Sequence, residues 1–312
     1  MCIFRVKTEG LYKLFDWHKN FSLDEAKTKK KKPFINLRRV LIEMMLPFRR
    51  SRGRRGIRIM VKSNLYAICT VYLILITSAE LLTNYNQKLG IVFHVGIIFL
   101  LLIYASLEYS RVFSQFLISL TLAPLIRVLS LSMPIVQFSR MFWFILLSIP
   151  VFIAVFTCIW LQGLHPASLG LRMPTSHLSL EAGVILLGLP FGLIEYQILK
   201  PSPLALNLRI PDIIVASLIF IICTGFLEEI VFRGLIQFNT MRVMGRWHGI
   251  LFISTIFGVL HAGNLTPLDC LLAFSAGFIF SFVREKTGSL YGISLSHGLI
   301  NIILFMVAPF YF

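Results

Sequence analysis

The feature that most constrains this chain is a series of long, nearly uninterrupted apolar segments. A helix needs about 20 apolar residues to cross the hydrocarbon core of a bilayer. Segments of about that length occur at residues 65–83, 89–108, 112–133, 142–162, 180–199, 211–236, 247–262, 268–284 and 289–309. A spanning β-barrel would instead alternate apolar and polar residues in short strands. The pattern therefore predicts an all-α, polytopic transmembrane helical bundle of about eight to nine spans.

Two of these segments leave the number of spans open. The third is interrupted by Pro124 and Arg127, so it forms either a span or a re-entrant hairpin. The seventh is short and can lie partly within protein rather than lipid. Both alternatives are compatible with helices as the spanning structure, because a helix satisfies all its backbone hydrogen bonds internally.

Most of the positive charge lies before the first apolar segment. Residues 1–64 contain 18 Lys and Arg but only five Asp and Glu, whereas the whole chain has a formal net charge of +16. Lys and Arg favour cytoplasmic loops, so residues 1–63 are predicted to be a basic cytoplasmic arm. Such an arm is either simply solvated or attracted to anionic lipid head groups. Because the charge is confined to this arm, we expect no nucleic acid partner.

Three charged residues lie inside one apolar segment, where a charge is costly unless it is paired or hydrated. Glu229 and Arg233 are four residues apart, so they share a helix face and can pair. Glu228 lies about 100° away around the helix and is predicted to face something else. One carboxylate would then be held by the guanidinium while its neighbour serves as a base.

Two further polar elements follow. The turn at residues 244–246 is nearly equidistant from Glu228 and His261, so a helical hairpin would bring these two side chains to the same depth. His297 and Asn301 are again four residues apart on one helix face. An imidazole and an amide placed in this way can donate two hydrogen bonds to one oxygen, as an oxyanion hole requires.

Together these residues resemble a known family. The patterns Glu228-Glu229-x-x-x-Arg233, Phe257-x-x-x-His261 and His297-x-x-x-Asn301 are similar to those of the CAAX prenyl endopeptidase and bacteriocin-processing (CPBP, also called Abi) family of intramembrane proteases. The segment 169–174, Leu-Gly-Leu-Arg-Met-Pro, also resembles one that often precedes its core. The resemblance implies a peptidase core at 164–312, preceded by variable transmembrane helices at 64–163.

The resemblance also implies roles for the six residues. Glu228, assisted by His261, would activate a water molecule, and Glu229 paired with Arg233 would orient the site. His297 and Asn301 would stabilise the oxyanion. No cofactor is expected, with zinc as the alternative, bound by Glu228, Glu229, His261 and His297. The chain lacks the H-E-x-x-H motif of many zinc peptidases.

Three functions are compatible with these residues. The first is an intramembrane endopeptidase that cleaves a peptide or protein substrate. The second is a non-catalytic family member that acts as a membrane scaffold or immunity protein. The third is a transporter that uses Glu228 and Glu229 as a relay, although no inverted repeat is visible in the sequence. The complete motif set favours the peptidase. We expect it to contact membrane lipids in a multi-pass arrangement, in the plasma membrane of a prokaryote.

Overall fold

The structure, a computed structural model, describes residues 60–133, 140–174, 177–204 and 209–312. These residues form helices and connecting turns, with no strand among them. The helices are α1 (Met60–Tyr85), α2 (Gln87–Leu107), α3 (Arg111–Ser132), α4 (Arg140–Gln162), α5 (Leu178–Leu199), α6 (Ile210–Met244), α7 (Arg246–Val259), α8 (Pro267–Thr287) and α9 (Tyr291–Tyr311). Short 3-10 helices lie at Pro166–Leu169 and Ala262–Asn264. The predicted basic arm falls almost entirely outside the described residues.

Eight of these helices, all except α7, are long and apolar enough to cross a membrane. Their outer faces carry large apolar side chains that are exposed, as lipid contact requires. Examples on α2, α4, α5 and α6 are Val92, Phe99, Ile153, Trp160, Leu186 and Leu218. The chain is therefore an integral, multi-pass membrane protein built as an all-α bundle, which confirms the predicted fold class. The predicted boundaries at residues 63 and 164 stay predictions.

Local sequence signals fix where several helices begin and end. The Asn86 side chain accepts a hydrogen bond from the backbone N–H of Leu89 and so caps the start of α2, at 3.1 Å. Pro267 occupies the first turn of α8, where its missing N–H costs nothing. Gly288 ends α8 with a φ of 67°, a conformation that glycine adopts without strain. Gly245, with a φ of 79°, separates α6 from α7 at the turn that the sequence predicts.

The third apolar segment is a helix rather than a re-entrant hairpin. The parts Arg111–Leu120 and Leu122–Ser132 are separated only by Thr121, whose backbone angles of −65° and −21° are still helical. Both parts pack against α2. Arg127 is buried within the second part and does not reverse the chain. Arg127 forms an ion pair with Glu80 of α1.

The seventh segment is a short helix that runs parallel to α1. Its 14 residues make α7 about 21 Å long at 1.5 Å per residue, less than the hydrocarbon thickness. Side-chain contacts nevertheless link α1 and the α7 region from one end to the other. The rings of Tyr66 and His248 are 5.8 Å apart, and the Asn84 side chain donates to the carbonyl of Gly263 at 2.5 Å. This segment therefore extends along α1 with most of its surface covered by protein, as its shortness predicts.

Helix α6 is the longest element and the centre of the C-terminal half. It contains two π-helical segments, Phe220–Phe226 and Ile230–Ile236, separated by the three α-helical residues Leu227–Glu229. The first π-helical segment packs against α9, which also lies along α5. Helix α7 packs against α8. The middle of α6 is buried among five other helices, α3, α4, α7, α8 and α9.

Candidate active site

The two adjacent carboxylates lie at the one place in α6 where α-helical geometry returns between two π-helical segments. Glu228 and Glu229 are both fully buried. π-helical turns are rare and concentrate at functional sites, because each one changes the direction in which the following side chains point. Nothing in the residue pattern of this segment signals the π-helical turns, so the sequence analysis treats α6 as a regular helix.

Glu229 forms the ion pair that its spacing from Arg233 predicts. The Arg233 Nη1 donates to Glu229 Oε1 at 2.8 Å, and both side chains are inaccessible to solvent. The guanidinium carbon also lies 4.2 Å from the centre of the Phe257 ring and 5.5 Å from that of Phe280. Cation–π contact of this kind is strongest when water is excluded. The motif includes Phe257, but the sequence gives no indication of Phe280.

His297 lies between the two carboxylates. Its Nδ1 is 2.7 Å from Glu229 Oε1, and its Nε2 is 3.7 Å from Glu228 Oε2. Because an ionised carboxylate can only accept, Nδ1 carries the proton in its bond to Glu229. Helical spacing predicts that Glu228 lies about 100° around α6 from Glu229 and faces something else, yet one imidazole spans both carboxylates. We call Glu228, Glu229, Arg233 and His297 the carboxylate cluster.

Asn301 lies one turn beyond His297 but contacts a different acceptor. Its Nδ2 donates to the hydroxyl of Thr224 at 2.8 Å, and that hydroxyl donates to the carbonyl of Phe220 at 2.5 Å. In this state His297 is directed to Glu229 and Asn301 to Thr224. The two donors share one helix face, as predicted, and these two hydrogen bonds are made to different acceptors. Thr224 was missed by the sequence analysis, since a threonine in an apolar helix commonly bonds to its own backbone.

Two glycines allow α6 and α9 to approach closely enough for these contacts. A Cβ atom on Gly225 would lie 2.5 Å from the carbonyl oxygen of Ser294, and one on Gly298 would lie 2.8 Å from Ile221 Cγ1. Larger residues at either position would push the helices apart. Small residues serve the same purpose at many helix contacts in membranes. A sequence signal exists, because each glycine is within three residues of a candidate site residue.

His261 lies just beyond the end of α7 and approaches the carboxylate cluster through Phe257. Its Nδ1 is 2.9 Å from the Phe257 carbonyl oxygen, while its buried Nε2 has no hydrogen-bond partner among the described residues. The Phe257 ring centre is 5.4 Å from the His261 ring centre and 6.0 Å from that of His297. Since a carbonyl can only accept, Nδ1 carries the proton and Nε2 offers a lone pair. A direct hydrogen bond from Nε2 to Glu228 is therefore not formed in this state.

The proposed zinc ligands do not fit together as a metal site. Among the described residues, no three His, Cys, Asp or Glu side chains converge in a way that could hold a metal ion. Glu229 Oε1 already accepts from the cationic Arg233, and His297 Nδ1 is directed to the same oxygen. A divalent cation bound there would be placed beside a guanidinium, which opposes it electrostatically.

Comparison with known proteins agrees with the motif-based resemblance. Residues 210–303 match the sequence model of a family described as type II CAAX prenyl endopeptidase Rce1-like. The match includes all six candidate site residues, and it confirms the family resemblance that the motifs indicate. The segment 169–174 lies outside it. No curated protein and no solved structure matches the chain.

Proposed function

We propose that this protein is an intramembrane endopeptidase of the kind that residues 210–303 resemble, and that Glu228 activates the attacking water. The family match supports a membrane-embedded protease of the CAAX type. The observation that carries the mechanism is the unequal treatment of the two carboxylates. Glu229 Oε1 lies 2.8 Å from Arg233 Nη1 and 2.7 Å from His297 Nδ1, so this oxygen is already engaged by two partners. Glu228 Oε2 lies farther from the same imidazole, 3.7 Å from His297 Nε2.

In the proposed reaction, Glu228 accepts a proton from water as the water oxygen attacks the scissile carbonyl carbon. The carbonyl π electrons move to the oxygen, which becomes an oxyanion. Glu228 then passes its proton to the leaving amine as the C–N bond breaks. A general base of this kind contributes about 10²–10⁴ in rate.

His261 assists through its unprotonated Nε2. Because Nδ1 is bonded to the Phe257 carbonyl, Nε2 is the atom that can accept a hydrogen bond from the water. The 3% exposure of His261 keeps this lone pair away from bulk water. Two acceptors, Glu228 and His261, would then align a single water molecule.

The oxyanion is stabilised by donors on α9. The Asn301 amide nitrogen carries two N–H groups, so its bond to Thr224 holds the amide in place while it donates to the oxyanion. His297 is anchored by Glu229 through Nδ1, so it donates to the oxyanion through Nε2 only when its ring carries both protons. Preorganised donors act more strongly in a water-excluded site than in water, since they need no reorientation during the reaction.

The substrate is a peptide or protein that reaches a site buried among membrane-spanning helices. Membrane lipids surround the protein, and we propose that this membrane is the plasma membrane of a prokaryote. The proposed reaction uses no cofactor, and chelation of the purified protein tests for zinc dependence.

Cleavage of a peptide library by the detergent-purified protein tests the proposal. Wild type and Glu228→Gln are compared, each with and without a strong chelator. We expect wild-type cleavage to survive chelation and Glu228→Gln to lose about 10²–10⁴ in rate while inserting normally. Retained activity in Glu228→Gln would remove that residue as the base. Loss on chelation with recovery on adding zinc would replace the water-only mechanism. Cleavage by neither protein would favour the scaffold function.

A further inference from the structure

A second group of charged residues lies in α1–α3, outside the part of the chain that matches the family. Arg127 donates to Glu80 through two parallel hydrogen bonds, Nε to Oε1 at 2.6 Å and Nη2 to Oε2 at 2.7 Å. His94 Nε2 lies 3.4 Å from Glu80 Oε1. Glu80 and His94 are fully buried and Arg127 is 5% exposed. Burying such charges is expensive, and an apolar replacement would often be as stable. The pair therefore calls for a function beyond stability.

This ion pair lies against the turn that follows His261. A Cβ atom added to Gly263 would lie 3.1 Å from Glu80 Oε2 and 3.4 Å from Arg127 Nη2. One helical turn after Glu80, the Asn84 side chain donates to the Gly263 carbonyl at 2.5 Å. The backbone at Gly263 is thus packed against the ion pair on one side and bonded to α1 on the other. We call Glu80, Asn84 and Arg127 the α1 clamp.

The position of His261 depends on this turn. Helix α7 ends at Val259, so His261 is no longer held by regular helix hydrogen bonds and has backbone angles of −91° and −5°. Its backbone N–H donates to the Gly258 carbonyl at 3.1 Å. Only Ala262 separates it from Gly263. A shift of the turn along α1 would therefore rotate the His261 ring and redirect Nε2.

We propose that the α1 clamp positions His261 for catalysis. The inference rests on the proposed peptidase function, in which His261 Nε2 helps to align the attacking water. Glu80, Asn84 and Arg127 are positioning residues, since they act on His261 through the backbone of Gly263. The N-terminal helices thereby take part in the chemistry of a site whose six candidate residues, within 228–301, all lie in the matched segment 210–303.

The test disturbs the clamp without removing its charges. Gly263→Ala introduces a methyl group at 3.1 Å from Glu80 Oε2, and Asn84→Leu removes the donor to the Gly263 carbonyl. Gly96→Ala in α2 is the matched control, because a Cβ atom there meets nothing within 4 Å. A displacement of this kind lowers kcat by about ten-fold, since catalytic geometry is sensitive to shifts below 1 Å. We expect KM to change little, because the clamp does not touch the substrate.

Two readouts separate positioning from general destabilisation. In a His261→Ala background, Gly263→Ala should cause no further loss of residual kcat, whereas independent effects would multiply. The second readout needs no substrate. The NMR signal of His261, in protein labelled with ¹³C at histidine Cε1 and assigned by its loss in His261→Gln, should move in both clamp variants and stay in Gly96→Ala.

An unmoved His261 signal in the clamp variants would overturn the clamp, whatever their activity. A moved signal with wild-type kcat would overturn it equally. If wild-type protein cleaves no peptide in the library, the proposed peptidase function fails, and the His261 signal still tests the clamp.

Discussion

The two buried ion clusters of this protein are built differently. In the α1 clamp, one carboxylate and one guanidinium face each other through two hydrogen bonds of 2.6 and 2.7 Å. In the carboxylate cluster, two carboxylates share one guanidinium, and a single 2.8 Å hydrogen bond joins Arg233 to Glu229. Glu229 Oε2 and Arg233 Nε and Nη2 have no hydrogen-bond partner among the described residues. In the clamp both Glu80 oxygens are bonded to Arg127, with His94 alongside, an arrangement suited to holding backbone, whereas the carboxylate cluster keeps polar atoms available for chemistry.

The largest expected effect comes from removing the guanidinium of each cluster. Arg233→Met and Arg127→Met each leave a buried carboxylate without its countercharge, and we expect each to lower the free energy of unfolding by about 3–5 kcal/mol. The loss should be greater for Arg233→Met, because two carboxylates remain in its cluster. Reversible unfolding in mixed micelles measures both. Wild-type stability in Arg233→Met would contradict the pairing.

Paired replacements serve as the control for this comparison. Glu80→Leu with Arg127→Met removes both charges of the clamp and leaves His94 as the only titratable member of this group, so most of the lost stability should return. Glu229→Leu with Arg233→Met should not recover in the same way, since Glu228 and His297 remain. If both double variants recover the same free energy of unfolding, the two ion clusters do not differ in this respect.

The next largest effect concerns Asn301, which has no counterpart in the α1 clamp. Asn301→Ala removes a donor to the oxyanion, and we expect kcat to fall by about 10²–10³. KM should change much less than kcat, because the interaction forms mainly in the transition state. Steady-state cleavage of a peptide identified in the library screen measures both constants. A rise in KM at constant kcat would instead assign Asn301 to substrate binding.

The smallest expected effect concerns Thr224, whose hydroxyl accepts a hydrogen bond from the Asn301 side chain. Thr224→Val removes the hydroxyl that accepts from Asn301 at 2.8 Å while keeping the side-chain volume. Loss of one such hydrogen bond corresponds to about 1 kcal/mol, or about five-fold in kcat. Thr224→Ser keeps the hydroxyl and should retain nearly wild-type kcat. If Val and Ser variants are equally active, Thr224 does not hold Asn301 in its catalytic position.

The helical spans were predictable from sequence because the bilayer sets their length. The predicted segments 142–162 and 180–199 correspond to α4 (Arg140–Gln162) and α5 (Leu178–Leu199). The largest boundary error is at the end of α6, predicted at residue 236 and found at Met244. Hydropathy stops there because the next residues are polar. They are buried by partners from other helices, which a hydropathy profile does not contain.

Gln237 and Asn239 show how polar residues at the end of α6 can be buried. Gln237 donates to the Ser281 carbonyl on α8 at 3.0 Å, and Asn239 donates to the Gln162 side chain on α4 at 3.0 Å. Contacts of this kind satisfy polar groups that would otherwise end the buried helix. They depend on which helices are neighbours, and a single sequence does not state this.

The candidate site likewise contains one contact that sequence spacing predicts and others that depend on how neighbouring helices pack. The Glu229–Arg233 pair follows from a four-residue spacing, and the structure contains it. The placement of His297 between both carboxylates depends on how α9 is rotated against α6, so spacing along one helix could not give it. The Glu80–Arg127 pair was missed although a signal existed. Arg127 was treated as an interruption of its segment, whereas a charge inside a membrane segment should prompt a search for its partner.

The parallel arrangement of α1 and the α7 region has a consequence for how the protein is made. During synthesis α1 enters the membrane before α7, which follows about 180 residues later, after roughly 10–35 s at ordinary elongation rates. With 14 residues, α7 is too short to be retained by lipid alone. Its stable insertion depends on neighbouring helices, of which α1 is already present and α8 follows directly. Truncation of α1 should therefore act late in biogenesis, as failed retention of α7, rather than at the point of synthesis where the deletion lies.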